Sequence, residues 1–266
     1  MGEEKNKNRC WLKADDEKQG IIFPFVVLAI WQAISVAGIA NPILMPSPAS
    51  ILGAAAEMLK SGELVRHLEI SFIRVIEGFF IASALALVLA SAMGIFTRIF
   101  SLLNMTIQLL RPVPPIAWIP LAILWFGIEE GSKVFIIVLG SFFPIFTNVL
   151  GGIRQTENKF VELAKALQIP QRKFIMKVVV PGTLPFIVTG LRTGLGYAWM
   201  CVVAAELSAG MQGIGYMLTD ARAMIQTDRI IVGMLAIGVI GKGMDSLLLL
   251  LEERMIKGKE FYTGNE

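Results

Sequence analysis

Residues 157–185 read ENKFVELAKALQIPQRKFIMKVVVPGTLP. Phe160, Leu163, Ala164 and Leu167 fall at i, i+3, i+4 and i+7, which makes one apolar helical stripe. Lys159, Glu162, Lys165 and Ala166 lie off it. Pro170 stops that helix, and a second, basic helix is predicted from Gln171 to Val179. Pro181 and Pro185 are then expected to close the unit. The stretch is basic and amphipathic, yet it connects two runs apolar enough to cross a bilayer. A short connection has no physical need of it. Periodicity leaves two readings open: a helix pair that docks on a partner, or a helix lying on anionic lipid.

Outward from that stretch the chain is strongly apolar. Of its 266 residues 55% are hydrophobic, and the mean hydropathy is +0.67. Soluble domains seldom reach such values or repeat such runs, so the chain is read as an all-α integral membrane protein. A spanning helix needs about 20 mainly apolar residues. Six runs qualify, at roughly 21–40, 72–96, 100–127, 133–152, 185–208 and 229–251. The third contains Arg111, Pro112, Pro114, Pro115 and Pro120, so its hydrogen-bond ladder must break. Such a break has to face protein or a wet cavity rather than lipid.

Basic residues orient the spans. Lys5, Lys7, Arg9, Lys13 and Lys18 precede the first. Arg154, Lys159, Lys165, Arg172, Lys173 and Lys177 lie between the fourth and fifth, and Arg254, Lys257 and Lys259 follow the sixth. With six spans these regions share one side, which places both termini and the insert in the cytoplasm. The expected organisation is a tail (1–20), a first span with an outer helix and loop (21–70), a core of five spans (71–251) carrying the insert (154–184), and a tail (252–266). Ile51, Ala55, Met58 and Leu59 mark the outer helix, with Ser50 able to cap it. The first run is read as an uncleaved span, since about twenty polar residues precede it.

Little supports catalysis. Cys10 and Cys201 are far apart, His67 has no partner motif, and no phosphate-binding loop occurs. No acid–base or metal spacing is present. Ionisable residues at membrane depth are functional candidates instead. Arg111 and Glu206 can line a pathway, pair with each other or be structural. Lys242 and Asp245 are spaced as a local pair, as are Arg74 and Glu77. Arg192 is expected near the cytoplasmic start of its span, within reach of headgroups. Gly190 and Gly194 allow close helix approach, within the bundle or between subunits.

The insert resembles the signature loop of permease subunits of ATP-binding cassette importers. That signature is Glu-Ala-Ala, three residues, Gly, nine residues, then Ile-x-Leu-Pro. Here Glu162-Leu163-Ala164 is followed by three residues, Gln168, nine residues and Val178-Val179-Val180-Pro181. Leu163 and Gln168 depart from the pattern, and Gln at a turn needing positive φ costs on the order of 1 kcal/mol. RPVPPIAWIPLAILWFGIEE (111–130), GLRTGLGYAWMCVVAAELSAGMQGIGYML (190–218) and TDRIIVGMLAIGVIGKGMDSLLLLLEER (227–254) are similar to the sulfonate, taurine and nitrate branch.

The resemblance implies a type I importer permease with about six transmembrane helices and a cytoplasmic coupling-helix insert. It implies a bacterial or archaeal cytoplasmic membrane and a second permease subunit, most simply as a homodimer. Two ATPase subunits holding ATP and magnesium and an external solute-binding protein are the other implied partners, with membrane lipid around them. No cofactor on this chain and no nucleic acid are expected. Phe160, Glu162, Leu163, Ala164, Lys165, Leu167, Gln168 and Pro181 would couple to the ATPase. Arg111, Pro114 and Glu206 are the pathway candidates, and the solute is a small sulfonate, taurine, nitrate or similar anion. The competing readings are a self-contained secondary transporter or channel, in which the insert has no role, and a membrane enzyme.

Overall fold

Backbone in hydrocarbon must satisfy its own hydrogen bonds, so the apolar runs become helices. The computed structural model describes residues 26–38, 41–155, 163, 164 and 166–257, the last seven by backbone alone. In chain order the helices are α1 (Val26–Val36), α2 (Pro48–Lys60), α3 (Glu63–Ile95), α4 (Thr97–Leu110), α5 (Ile119–Phe126), α6 (Glu130–Arg154), α7 (Gln171–Ala209), α8 (Ile214–Ala223) and α9 (Thr227–Lys257). Four of these are long and apolar enough to cross a membrane, namely α3, α6, α7 and α9. A fifth span arises if α4 and the segment Pro115–Phe126, which meet at 88°, count as one. The first predicted span is represented by α1 alone, because residues 21–25, 39 and 40 lie outside the described set.

The chain divides into two compact units. The first joins the described residues up to Glu63 with Asp220–Met234. In it Ser47, not Ser50, caps α2, accepting the Ser50 backbone N–H at 3.1 Å. Pro48 follows at the first helical position, where its missing N–H costs nothing. Arg229 lies 3.3 Å from Glu63 and 3.6 Å from Glu57.

The second unit holds Leu64–Thr219 and the described residues from Leu235 onward. Small residues set its packing. Gly78, Ala82, Ala86 and Ala90 recur every four residues along α3, and the three alanines are fully buried. A Cβ on Gly78 would fall 2.5 Å from Ile137 of α6, so the two helices are nearly in backbone contact. Gly190 and Gly194 of α7 do the same against Ile145 of α6, which makes them packing residues inside one chain. Ala86, Ala90, Met93, Ile145, Phe146 and Val149 form the core between α3 and α6.

Two boundaries differ from the sequence reading. Helix α3 starts at Glu63 rather than 72 and is about 50 Å long, more than the ~30 Å hydrocarbon layer. The polar turns at its start continue the helix beyond that layer. Helix α7 runs unbroken from Gln171 through Pro181 and Pro185, where a stop was expected. Its Ile175–Val179 segment is a π-helical turn. That wider turn sits where the Pro181 ring would press on the carbonyl four residues earlier, so the helix absorbs the proline instead of ending. The break in the third span occurs where predicted, at residues 111–114 between α4 and the 3₁₀ turn Pro115–Trp118.

Candidate functional site

The insert has a defined helix end. Leu167 donates its N–H to Leu163 O at 2.9 Å and Ile169 donates to Ala164 O at 2.9 Å, while Gln168 holds φ at +51°. This is a Schellman closure with Gln168 at the left-handed position and Pro170 two residues on. Glutamine thus takes the conformation the missing glycine would have taken, at its own steric cost. Ala164 is buried, whereas Leu163 and Leu167 are 55% and 63% exposed. One turn apart, they present an uncovered apolar ridge beside a sharp bend. Pro181 lies half-buried inside α7, just beyond the π turn. Phe160, Glu162 and Lys165 lie outside the described residues.

Arg111 stands at the break after α4, between two adjoining clefts. The larger, ≈ 600 Å³, lies between α4 and α6 and is lined by Asn104, Gln108, Arg111, Thr147 and Arg154 among others. The second, ≈ 310 Å³, shares Arg111 and Thr147 and reaches Thr193 and Tyr197 of α7. Among the described residues no carboxylate lines either. Pro114 opens the 3₁₀ turn between Val113 and Pro115, both of which line the second cleft.

Glu206 is elsewhere and lines neither cleft. Its side chain is fully buried, and its carboxylate accepts Arg74 Nη1 at 2.7 Å, the Ser71 hydroxyl at 2.8 Å and the Gly215 N–H at 2.9 Å. Arg74, itself 4% exposed, also grips Glu130 bidentately, with Nη2 at 2.6 Å from Oε1, and donates to Gln212 O at 2.8 Å. The loop before α8 wraps this cluster closely. A Cβ on Gly213 (φ +109°) would fall 2.2 Å from the Glu206 carboxylate. His67 Nδ1 accepts the Gly213 N–H at 3.1 Å, so the histidine serves the same loop. The expected Arg74–Glu77 pair does not form, since Arg74 turns inward to α6 and α7 and Glu77 is exposed. Nor do Arg111 and Glu206 pair. Asp245 of α9 lies 3.6 Å from Lys242, as the spacing predicts, but it also holds Arg192 at 2.7 Å. Arg192 therefore has a protein partner where headgroups were expected.

The comparisons with known proteins bear on the same elements. Residues 82–257 match the family described as the inner membrane component of binding-protein-dependent transport systems. The chain belongs to this family. It is a permease subunit of the ATP-binding cassette importer kind.

The permease is 39% identical over 97% of its length to SsuC of Bacillus subtilis (strain 168), a permease protein named for aliphatic sulfonates transport, covering 91% of that chain. It is 32% identical to the taurine transport system permease protein TauC of Escherichia coli (strain K12), with 86% of each chain covered. Against the bicarbonate transport system permease protein CmpB of Synechococcus elongatus the figures are 30% identity and 90% of each chain. A solved amino acid ABC transporter matches with a TM-score of 0.63 at 18% identity, covering 75% of this chain and 97% of that one, which shows the shared fold. Among the described residues no cluster of His, Cys, Asp or Glu could hold a metal ion. The Arg74–Glu130–Glu206 cluster escaped the sequence reading. Its only sequence signal is four charges, Arg74, Glu130, Lys133 and Glu206, each at one end of an apolar run.

Proposed function

We propose that two copies of this permease form the pathway of an importer for a small organic or inorganic anion, with both termini in the cytoplasm. Two partner subunits hydrolyse ATP with magnesium below the membrane, and a solute-binding protein delivers the solute from outside. The observation that carries this is the turn at Ala164–Pro170. It leaves an exposed Leu163–Leu167 ridge within the signature loop, on the connection that leads directly into α7. Exposed apolar ridges of this kind mark protein contacts. Nucleotide-driven closure of the partners would move α7 through that turn, and the solute would favour the opposite state. Sulfonates, taurine and bicarbonate, the solutes in the relatives' names, are the candidates. The arginine-lined clefts, without carboxylates among the described residues, support that choice of sign.

The test is reconstitution with a partner ATPase and a solute-binding protein. ATP-dependent uptake of taurine, alkanesulfonates and bicarbonate is then measured. Leu167→Asp spares the fold because Leu167 is exposed, and it should abolish both ATPase co-purification and uptake. Full association and uptake in that variant would remove the coupling role of the turn.

A further inference from the structure

We propose that the cleft between α4 and α6 is a seat for a small oxyanion, held by the guanidinium group of Arg111, with Arg154 adding positive charge to the same cleft. The inference rests on the transport reading above and extends it to a site within the permease itself.

The positive charge in this cleft has no carboxylate counterpart among the described residues. Arg74, Arg192 and Arg229 each hold a carboxylate. Arg111 and Arg154 line one cleft, and among the described residues neither has an ion pair or a side-chain hydrogen bond. Arg154 rests on the face of Phe100, 3.8 Å from the ring centre. Arg111 and Arg154, both exposed, give a space walled by Ile107, Phe146 and Leu150 an excess of positive charge, which an anion bound there would offset.

Of the remaining polar groups, Asn104 is set to donate, whereas Thr147 has spent its proton. Gln108 Nε2 donates to Asn104 Oδ1 at 3.1 Å, which turns the Asn104 amide so that its NH₂ is left for a ligand. Across the cleft, Thr147 gives its proton to Phe143 O at 2.9 Å. Among the described residues no carboxylate lines the cleft to repel an anion or attract a cation. Guanidinium forks are matched to planar or tetrahedral oxyanions through paired N–H bonds. The second cleft, which shares Arg111, is walled by Val113, Leu139 and Phe143. It suits a short apolar substituent on the same anion. A transported solute and a lipid headgroup share this oxyanion chemistry, and we assign the seat to the solute.

Purified full-length permease in phosphatidylcholine nanodiscs, titrated with radiolabelled methanesulfonate, tests the proposal. The expected result is saturable binding, displaced by inorganic sulfate and not by methylammonium. Arg111→Gln should weaken it by about tenfold or more, and Arg154→Gln several-fold. Arg111→Lys should retain part of it. Arg98→Gln, at an exposed position on α4 that lines neither cleft, should leave it unchanged. Thermal melts confirm that each variant is folded. No saturable binding by the natural chain, or equal binding by a folded Arg111→Gln, overturns the proposal. A parallel arm uses discs containing phosphatidylglycerol. Retention of that lipid by the natural chain but not by Arg111→Gln, with methanesulfonate excluded, overturns the solute assignment in favour of a headgroup. Binding is read without ATPase or binding protein, so a negative result leaves the importer reading standing. Failure of ATP-driven uptake with binding intact would sink that reading alone.

Discussion

Gln168 shows how much one backbone angle carries. It sits at φ +51°, where the Cβ of an L-residue crowds the following carbonyl, and the 6→1 bond from Ile169 to Ala164 depends on that angle. The turn keeps its geometry without glycine, so the departure from the family pattern changes stability rather than shape. Gln168→Gly should raise the thermal midpoint of the detergent-purified permease, a gain of at most about 1 kcal/mol. Gln168→Val, β-branched at the same angle, should lower it. A lower midpoint for the glycine variant would mean that the Gln168 side chain has a compensating contact in the assembly.

At the scale of helices, a few atoms decide how closely α6 and α7 pack. A Cβ on Gly140 would fall 2.2 Å from Cys201 Sγ. Gly140→Ala should therefore destabilise by on the order of 1–3 kcal/mol, as overpacked cores do. Cys201→Ala removes the clashing sulfur, so the double variant should recover most of that loss. Additive effects in a thermal double-mutant cycle would show that the helices shift instead of clashing. The spans themselves were legible because apolar length along the chain is a one-dimensional signal. The break at residues 111–114 was legible because proline forbids the hydrogen bond wherever it sits. The continuity of α7 through Pro181 and Pro185 was not, because it depends on a π turn that no residue type specifies. Helix α3 begins earlier than its apolar run because helix formation does not end where hydrocarbon ends. Of the candidate site, the motif spacing marked the turn. It could not reveal that Leu163 and Leu167 stay uncovered while Ala164 is buried.

For the molecule as a whole, the least legible feature lies at the opposite end of α6 from the insert. Arg74, Glu130 and Glu206 are separated by 56 and 132 residues in pairs centred on the arginine, distances over which spacing carries no information. Their union ties α3, α6 and α7 together with the loop before α8. The two buried partners are not equivalent. Without Arg74, the Glu206 carboxylate keeps only Ser71 and the Gly215 N–H in a site with no exposure. Without Glu206, Arg74 still has Glu130, which is 62% exposed and can share the charge with solvent. Arg74→Leu should thus cost about 3–5 kcal/mol, the range for an uncompensated buried charge, and Glu206→Leu should cost less. The double variant leaves no orphaned carboxylate and should be more stable than Arg74→Leu alone. Unfolding of the purified permease by heat or by denaturing detergent measures all three. If Arg74→Leu proves as stable as the natural chain, the cluster does not hold these helix ends together. If the double variant is as damaged as the sum of the two single variants, the loss comes from packing around the residues and not from charge.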